Sequence, residues 1–396
     1  MALAATTTLS EAFGPPLLRR HLSARRRHLS NVHANGGPEH VENPMVLANT
    51  ERQGVGLLNI PSDFYDEGFR LAFCTHNSRY PIGVAINKAT NTRDLIFSLY
   101  DFGVQSRVRC KGEVCASCFE WAEKYGDLKT EEELLKILRE EHREMGYGGE
   151  DFMRSHPNTS LRIPTQLDRV VPCECTPDLT QMPSEVIREM VDQMLMIQST
   201  EFPNDEEVRV LVLGVGGGQM LLYAQDRLTN PRTSTVLVEG VDFDPCVIRV
   251  AELFFGFKRS DTLHVEIGDA FQALERRRRL YQDVCALDPV TGLGVGPYHF
   301  ICVDCFANNI SLPAECRSVS FLRGMKSLLK PGGAVLLNIW AWIPSFTHVD
   351  AYSPTVEREF RETLDAYKRV FGDEQTTCRP VQLNYANHVI CARRAV

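Results

Sequence analysis

The chain has 396 residues, 43% of them hydrophobic, and a formal net charge of −8. No apolar run approaches the ~18 residues of a membrane-spanning helix, so no membrane partner is expected, and the composition fits a globular protein of two domains and a tail. Thirteen cysteines scattered without a compact framework point to reduced thiols in an intracellular compartment.

Residues 1–38 carry five arginines (Arg19, Arg20, Arg25, Arg26, Arg27) against one acid, Glu11, and Arg-Arg-His-Leu-Ser occurs twice, at 19–23 and 26–30. An acid-poor stretch rich in Arg and Ser has the composition of an organelle transit peptide. Mitochondrial import is expected, with a plastid as the alternative and a disordered basic tail as the plainer reading. The tail holds four net positive charges, so the rest of the chain carries −12 where the whole carries −8. A body this acidic is a poor general binder of phosphate backbones and suits a basic protein segment.

Residues 39–182 form a second region, opening with a polar linker to about residue 60. Strand-like runs at 69–74, 82–86 and 94–100, separated by Asn and Gly, predict a small β-rich unit. A charged helix is expected over 130–144, with Thr130 as N-cap and Leu134, Leu135 and Leu138 at helical spacing. The stretch 146–182 reads as irregular. Cys115 and Cys118, with Cys173 and Cys175, offer the four soft ligands of a tetrahedral zinc site. Against zinc, the second C-x2-C pair is missing, and cysteine is often a small buried hydrophobe.

Residues 183–396 form the third region. A helix over 183–199 places Val186, Met190, Met194 and Ile197 on one face, the methionines as core filler. The apolar run 208–213 then reads as a buried strand that breaks into Gly214-Val215-Gly216-Gly217-Gly218 before a helix at 220–227. Such a loop lets the backbone approach a ligand and opens a helix whose first N–H groups are unpaired, although many α/β folds turn this corner without a ligand. A second strand, 235–242, ends in Asp242-Phe243-Asp244-Pro245. In a doubly wound sheet an acid there accepts from ribose hydroxyls; the plainer role, capping the helix at 246–255, suits Asp244 better. The strand at 263–267 ends in Gly268-Asp269-Ala270, where an acid can meet an adenine amino group, and the strand at 298–303 ends in Asp304. A helix (315–329), a Lys-Pro-Gly-Gly turn (330–333), a strand (334–339), a helix (355–371) and strands near Val381 and at 388–392 complete the domain. Polar residues close several strands at one edge, where open α/β sheets bind ligands.

The Gly-Asp after the third strand and the Lys-Pro-Gly-Gly turn resemble those of S-adenosylmethionine methyltransferases of the seven-strand class. The stretches 206–218, Val241-Asp-Phe-Asp-Pro, Phe254-Phe-Gly-Phe-Lys-Arg-Ser-Asp261 and Gly268-Asp269-Ala270 are similar to the spermidine-synthase-like group, including the elongation factor 1-alpha lysine and N-terminal methyltransferases. The resemblance covers roughly residues 205–393. It implies a Rossmann-like seven-strand sheet beside the smaller β-rich region. It also implies S-adenosylmethionine as cofactor, held by Gly214, Val215, Gly216, Gly217, Gly218, Asp242, Phe243, Asp269, Ala270 and Asp304. Asp304 is the candidate proton acceptor for an attacking amine, or else caps its turn or contacts the methionine moiety; Asn308 and Trp340 are candidates to line the acceptor pocket. The acceptor is expected to be a basic protein segment, through a lysine or N-terminal amine, or RNA. The alternative is a non-catalytic subunit of an organellar ribosome or its assembly intermediate. Polyamine synthases resemble the chain too, but carry an aspartate at Gln219 and a base aspartate at Ala307, which weighs against aminopropyl transfer. The run Arg276-Arg277-Arg278-Arg279 reads as a solvated helix end or as a local contact to an RNA backbone.

Overall fold

Val208, Val210, Leu211, Val212 and Leu213 have no solvent exposure, and in a computed structural model of the chain they form β5 (Glu207–Leu213), the strand from which the larger sheet is built. The structure describes residues 69–76, 81–96, 104–119, 167, 170, 172–282, 287–306, 312–340, 354–381 and 387–396. The N-terminal tail, the expected helix at 130–144 and Asn308 lie outside these.

From β5 the chain runs through helix α2 (Gln219–Leu228), β6 (Thr235–Asp242), α3 (Pro245–Phe254), β7 (Leu263–Ile267) and α4 (Ala270–Gln282). It then crosses to β8 (Tyr298–Val303), α5 (Val319–Leu328), β9 (Leu329–Trp340), α6 (Pro354–Phe371), β10 (Thr376–Pro380) and β11 (Asn387–Arg393). The strands lie in the order β10-β11-β9-β8-β5-β6-β7, with only β11 reversed. Side chains of β5 alternate: Val208, Val210 and Val212 pack with α2 and with α1 (Glu185–Glu201), while Leu211 and Leu213 pack with α4, α5 and α6. The strand is therefore buried on both sides, as its unbroken apolar run requires. Met190 and Met194 of α1 are in the core, as expected.

A second sheet is an antiparallel meander of β1 (Phe69–His76), β2 (Pro81–Asn87), β3 (Thr92–Ile96) and β4 (Val104–Arg109). Helix α3 joins the two sheets through opposite sides. Ile248 and Ala251 belong to the core of the large sheet, and Val247, Val250, Phe254 and Phe255 to the core under the meander.

Several details depart from the sequence reading. Strand β4 has little apolar character and was not anticipated. The helix expected over 315–329 is split, because Ser318 ends a 3-10 turn (Ala314–Arg317) and caps α5, its Oγ accepting from the Phe321 N–H at 3.2 Å. Lys330-Pro331-Gly332-Gly333 is not a connecting turn but a bulge inside β9, between the Tyr298–Leu329 and Phe300–Ala334 pairs. The arginine run is neither a solvated helix end nor an RNA contact over its first half. Arg277 is 1% exposed and meets Glu239 at 3.1 Å and Glu266 at 2.8 Å; Arg276 meets Glu266 at 2.6 Å and Asp288 at 3.1 Å. Arg278 and Arg279 pair with Glu275 on the same helix.

Candidate active site

Gly214 stands where β5 leaves the sheet. Its φ of 89° is left-handed, its N–H donates to the Val241 carbonyl at 2.9 Å, and the Asp304 carbonyl occupies the place of a Cβ. Gly216 (φ 53°) and Gly218 (φ 83°) are also left-handed, and the Phe257 ring lies 2.6 Å from where a Cβ of Gly218 would stand. Asp304 N–H in turn donates to the Leu213 carbonyl at 2.8 Å, so the ends of β5 and β8 close on each other. Chain order reverses between these strands, and such a switch point is the crevice where open sheets hold ligands.

The loop amides are less available than the glycine pattern suggests. Val215 and Gly216 donate to Asp242 Oδ2 at 2.9 and 3.2 Å, Gly217 to Ser106 Oγ at 3.0 Å, and Gly218 to the Val215 carbonyl at 2.9 Å. Ser106 comes from β4, so the meander reaches the loop. No local signal marks that serine in the sequence. Asp242 is 9% exposed and also accepts from the Asp244 N–H at 3.0 Å; burial raises its carboxyl to about 6 despite these bonds. Asp244 caps α3 through Cys246 N–H at 2.8 Å, with Pro245 in the first helical position, as the sequence indicated.

Gln219 is 2% exposed, and its amide donates to the Gly217 carbonyl at 2.8 Å. Its Oε1 is buried with no hydrogen-bond partner among the described residues. With no donor to it among the described residues, this acceptor beside a left-handed glycine loop is available to a ligand's donor. At the end of β7, Gly268 N–H donates to the Asp242 carbonyl at 2.8 Å, which brings Asp269 and Ala270 to the same edge. Asp269 Oδ1 accepts from Gln272 N–H at 2.9 Å, so this acid caps α4. Phe243, Ile267 and Phe271 are 43%, 46% and 38% exposed, an apolar rim around these carboxylates.

Asp304 is half-buried, and burial raises its carboxyl above the ordinary range; Asn338 Nδ2 opposes the rise by donating to Oδ1 at 2.8 Å. Asn387 Nδ2 donates to Asn338 Oδ1 at 2.9 Å, completing a buried relay that spans β11, β9 and the end of β8. Trp340 closes β9 opposite Asn387. A cavity of about 390 Å³ lies at the opposite edge of the sheet, lined by Asp205, His299 and Lys330. There Asp205 already accepts from Lys330 at 2.6 Å and from His299 at 2.8 Å, so that cavity offers an ion pair and a hydrogen bond already made in place of reactive groups.

The four suggested zinc ligands divide. Cys115, Cys118 and Cys173 converge, whereas Cys175 is bonded to Cys110 and Cys118 to Cys173 as disulfides. The expectation of uniformly reduced thiols does not describe this structure.

The strand order, the single reversed strand and the glycine loop at the switch point define a Rossmann-like methyltransferase fold. No protein-family model matches the chain. A 160-residue stretch, 38% of the chain, is 27% identical to the human eEF1A lysine and N-terminal methyltransferase and covers 20% of it; 143 residues are 31% identical to the Danio rerio protein, covering 18%. The chain therefore spans about a fifth of the length of these relatives. A stretch of 162 residues, 40% of the chain, is 27% identical to a polyamine aminopropyltransferase of Vibrio vulnificus and covers 46% of it. Among solved structures, human methyltransferase-like protein 13 in complex with SAH aligns with 53% of this chain and 82% of its own, at 21% identity and a TM-score of 0.42.

Proposed function

We propose that the chain is an S-adenosylmethionine-dependent methyltransferase acting on a protein amine, a lysine or an N-terminal amine in a basic segment. One observation carries this reading. The left-handed glycine loop, Asp242 and Asp304 meet at one crevice, in a chain of which 160 residues are similar to the human eEF1A lysine and N-terminal methyltransferase. The residues fit the cofactor: Gln219 Oε1 is an unused acceptor for an ammonium group, Asp242 can take ribose hydroxyls, and Phe243, Ile267 and Phe271 offer apolar cover to a purine.

Bound S-adenosylmethionine supplies a methyl group already activated on a sulfonium. The chain's own work is to position and to exclude water. An amine must be neutral to attack, and Asp304 is the proton acceptor in this reading; burial, which raises its proton affinity, and the hydrogen bond from Asn338 support that role. The acidic body favours approach of a basic segment. The composition of residues 1–38 supports action in an organelle, a mitochondrion before a plastid.

The test is transfer of labelled methyl from S-adenosylmethionine by the full chain, beside calorimetry with S-adenosylmethionine and its decarboxylated form. Label in protein, lost in Asp304→Asn while cofactor affinity changes less than about threefold, is the expected result. Label confined to RNA overturns the acceptor. The similarity to an aminopropyltransferase makes that chemistry the second reading, and preference for the decarboxylated form would establish it. Binding of neither would leave the fold as a scaffold, such as a subunit of an organellar ribonucleoprotein.

A further inference from the structure

We propose that the cysteine cluster beneath the meander is a thiolate zinc site when its disulfides are reduced. Cys110, Cys115, Cys118, Cys173 and Cys175 line this core, and three of their sulfurs converge. Cys115, in neither disulfide, places Sγ 3.0 Å from Cys118 Sγ and 3.8 Å from Cys173 Sγ, and one ligand atom from each of the three lies within 4.8 Å of the others. A tetrahedral zinc with Zn–S bonds of ~2.3 Å separates its sulfurs by about 3.8 Å. Cys115 Sγ thus stands at about a metal's ligand spacing from the two sulfurs of the Cys118–Cys173 pair, and the fourth ligand is a sulfur that the Cys110–Cys175 pair of the same core moves in once it is reduced.

The second observation is electrostatic. Arg93 has no solvent exposure, and its guanidinium donates to the carbonyls of Cys173 (3.0 Å), Phe254 (2.6 Å) and Glu174 (2.7 Å) and to Asn91 Oδ1 (3.4 Å). All four acceptors are neutral. Among the described residues no carboxylate pairs with it, and its Nε has no partner. A buried cation requires opposite charge nearby. Two disulfides and a thiol carry none, whereas zinc with four thiolates carries a net double negative charge, next to a fully buried guanidinium that has no carboxylate partner among the described residues.

The chemistry balances. A dithiol reductant breaks each S–S bond by giving two electrons and two protons and leaves as its own disulfide. Zinc then replaces one proton on each of four thiols, and four protons pass to solvent. The site bears on the crevice through β4: Cys110 follows its last residue, and Ser106 on the same strand holds the glycine loop. The proposal does not depend on methyl transfer.

The experiment uses the full chain reduced with a dithiol, supplied with zinc, desalted and measured by elemental analysis beside circular dichroism. About one zinc per chain is expected. Cys115→Ser, which leaves both disulfides able to form, should weaken zinc by at least about tenfold, while Cys378→Ser, distant in β10, should not. Cobalt offered to the wild type should give intense visible bands and thiolate charge transfer, a readout independent of any variant's folding. Reduced, folded wild type holding under ~0.1 zinc per chain, or Cys115→Ser binding as tightly as wild type, overturns the proposal.

Discussion

Asp242 makes a residue-scale prediction with a definite sign. Its carboxyl is raised to about 6 by burial, so the folded chain holds this proton more tightly than the unfolded chain does. The stability this group contributes is therefore complete below its ordinary value of 3.8 and is lost as pH rises through about 6. Binding runs the other way, because the ionised form is the better acceptor for ribose hydroxyls. Calorimetric affinity for S-adenosylmethionine should rise with pH and level off above about 6. Asp242→Asn should bind about tenfold or more weakly, with no such inflection; an unchanged profile would remove Asp242 from the site. Asp242 and Asp304 were legible because each closes an apolar run, which marks the carboxyl edge of a sheet. Ser106 and Asn338 were not. Ser106 meets a loop 111 residues away, and Asn338 lies within a strand where its neighbours announce only burial.

At the scale of elements, the buried ion network fastens the part of the sheet that carries Asp242. Arg277 on α4 reaches Glu239 on β6, Glu266 on β7 and the Tyr298 hydroxyl on β8. Arg277→Met keeps the volume but leaves two buried carboxylates sharing Arg209 and Arg276 alone. The expected loss is about 3 kcal/mol, read from the urea midpoint with an unchanged slope. A loss under ~0.5 kcal/mol would mean that the network contributes nothing net. From the sequence these arginines were read by their own helix, which misled, since their partners are supplied by strands. Strands β1, β2, β5, β6, β7, β8 and β11 were legible to within two residues at each end; β3 and β9 begin earlier than their apolar runs, β10 stops short of Val381, and β4, polar and at the end of its sheet, gave no signal.

For the whole molecule, the contrast between an Arg-rich N-terminus and an acidic body is what the organellar proposal rests on. Residues 1–40 fused to a fluorescent protein should carry it into mitochondria. Signal in plastids would move the proposed activity there, and diffuse cytosolic signal would end the organellar reading. The proposal rests on composition alone, because targeting depends on charge and amphipathicity and needs no packed fold.

The crevice between β5 and β8 is also a seam in time. β5 pairs Glu207 with Thr235 on one side, a short excursion along the chain, but Val210 with Phe300 on the other, after two further strands have been made. Non-local parallel pairing comes late in folding, since the loop must be closed before the contacts reward it. The half containing β6 and β7 can assemble first, and β8 must then dock on it. A ligand lodged at that junction touches both halves only once they have met. It should therefore slow their parting far more than it speeds their meeting, and the bound protein should outlast the free one chiefly through a lower rate of unfolding.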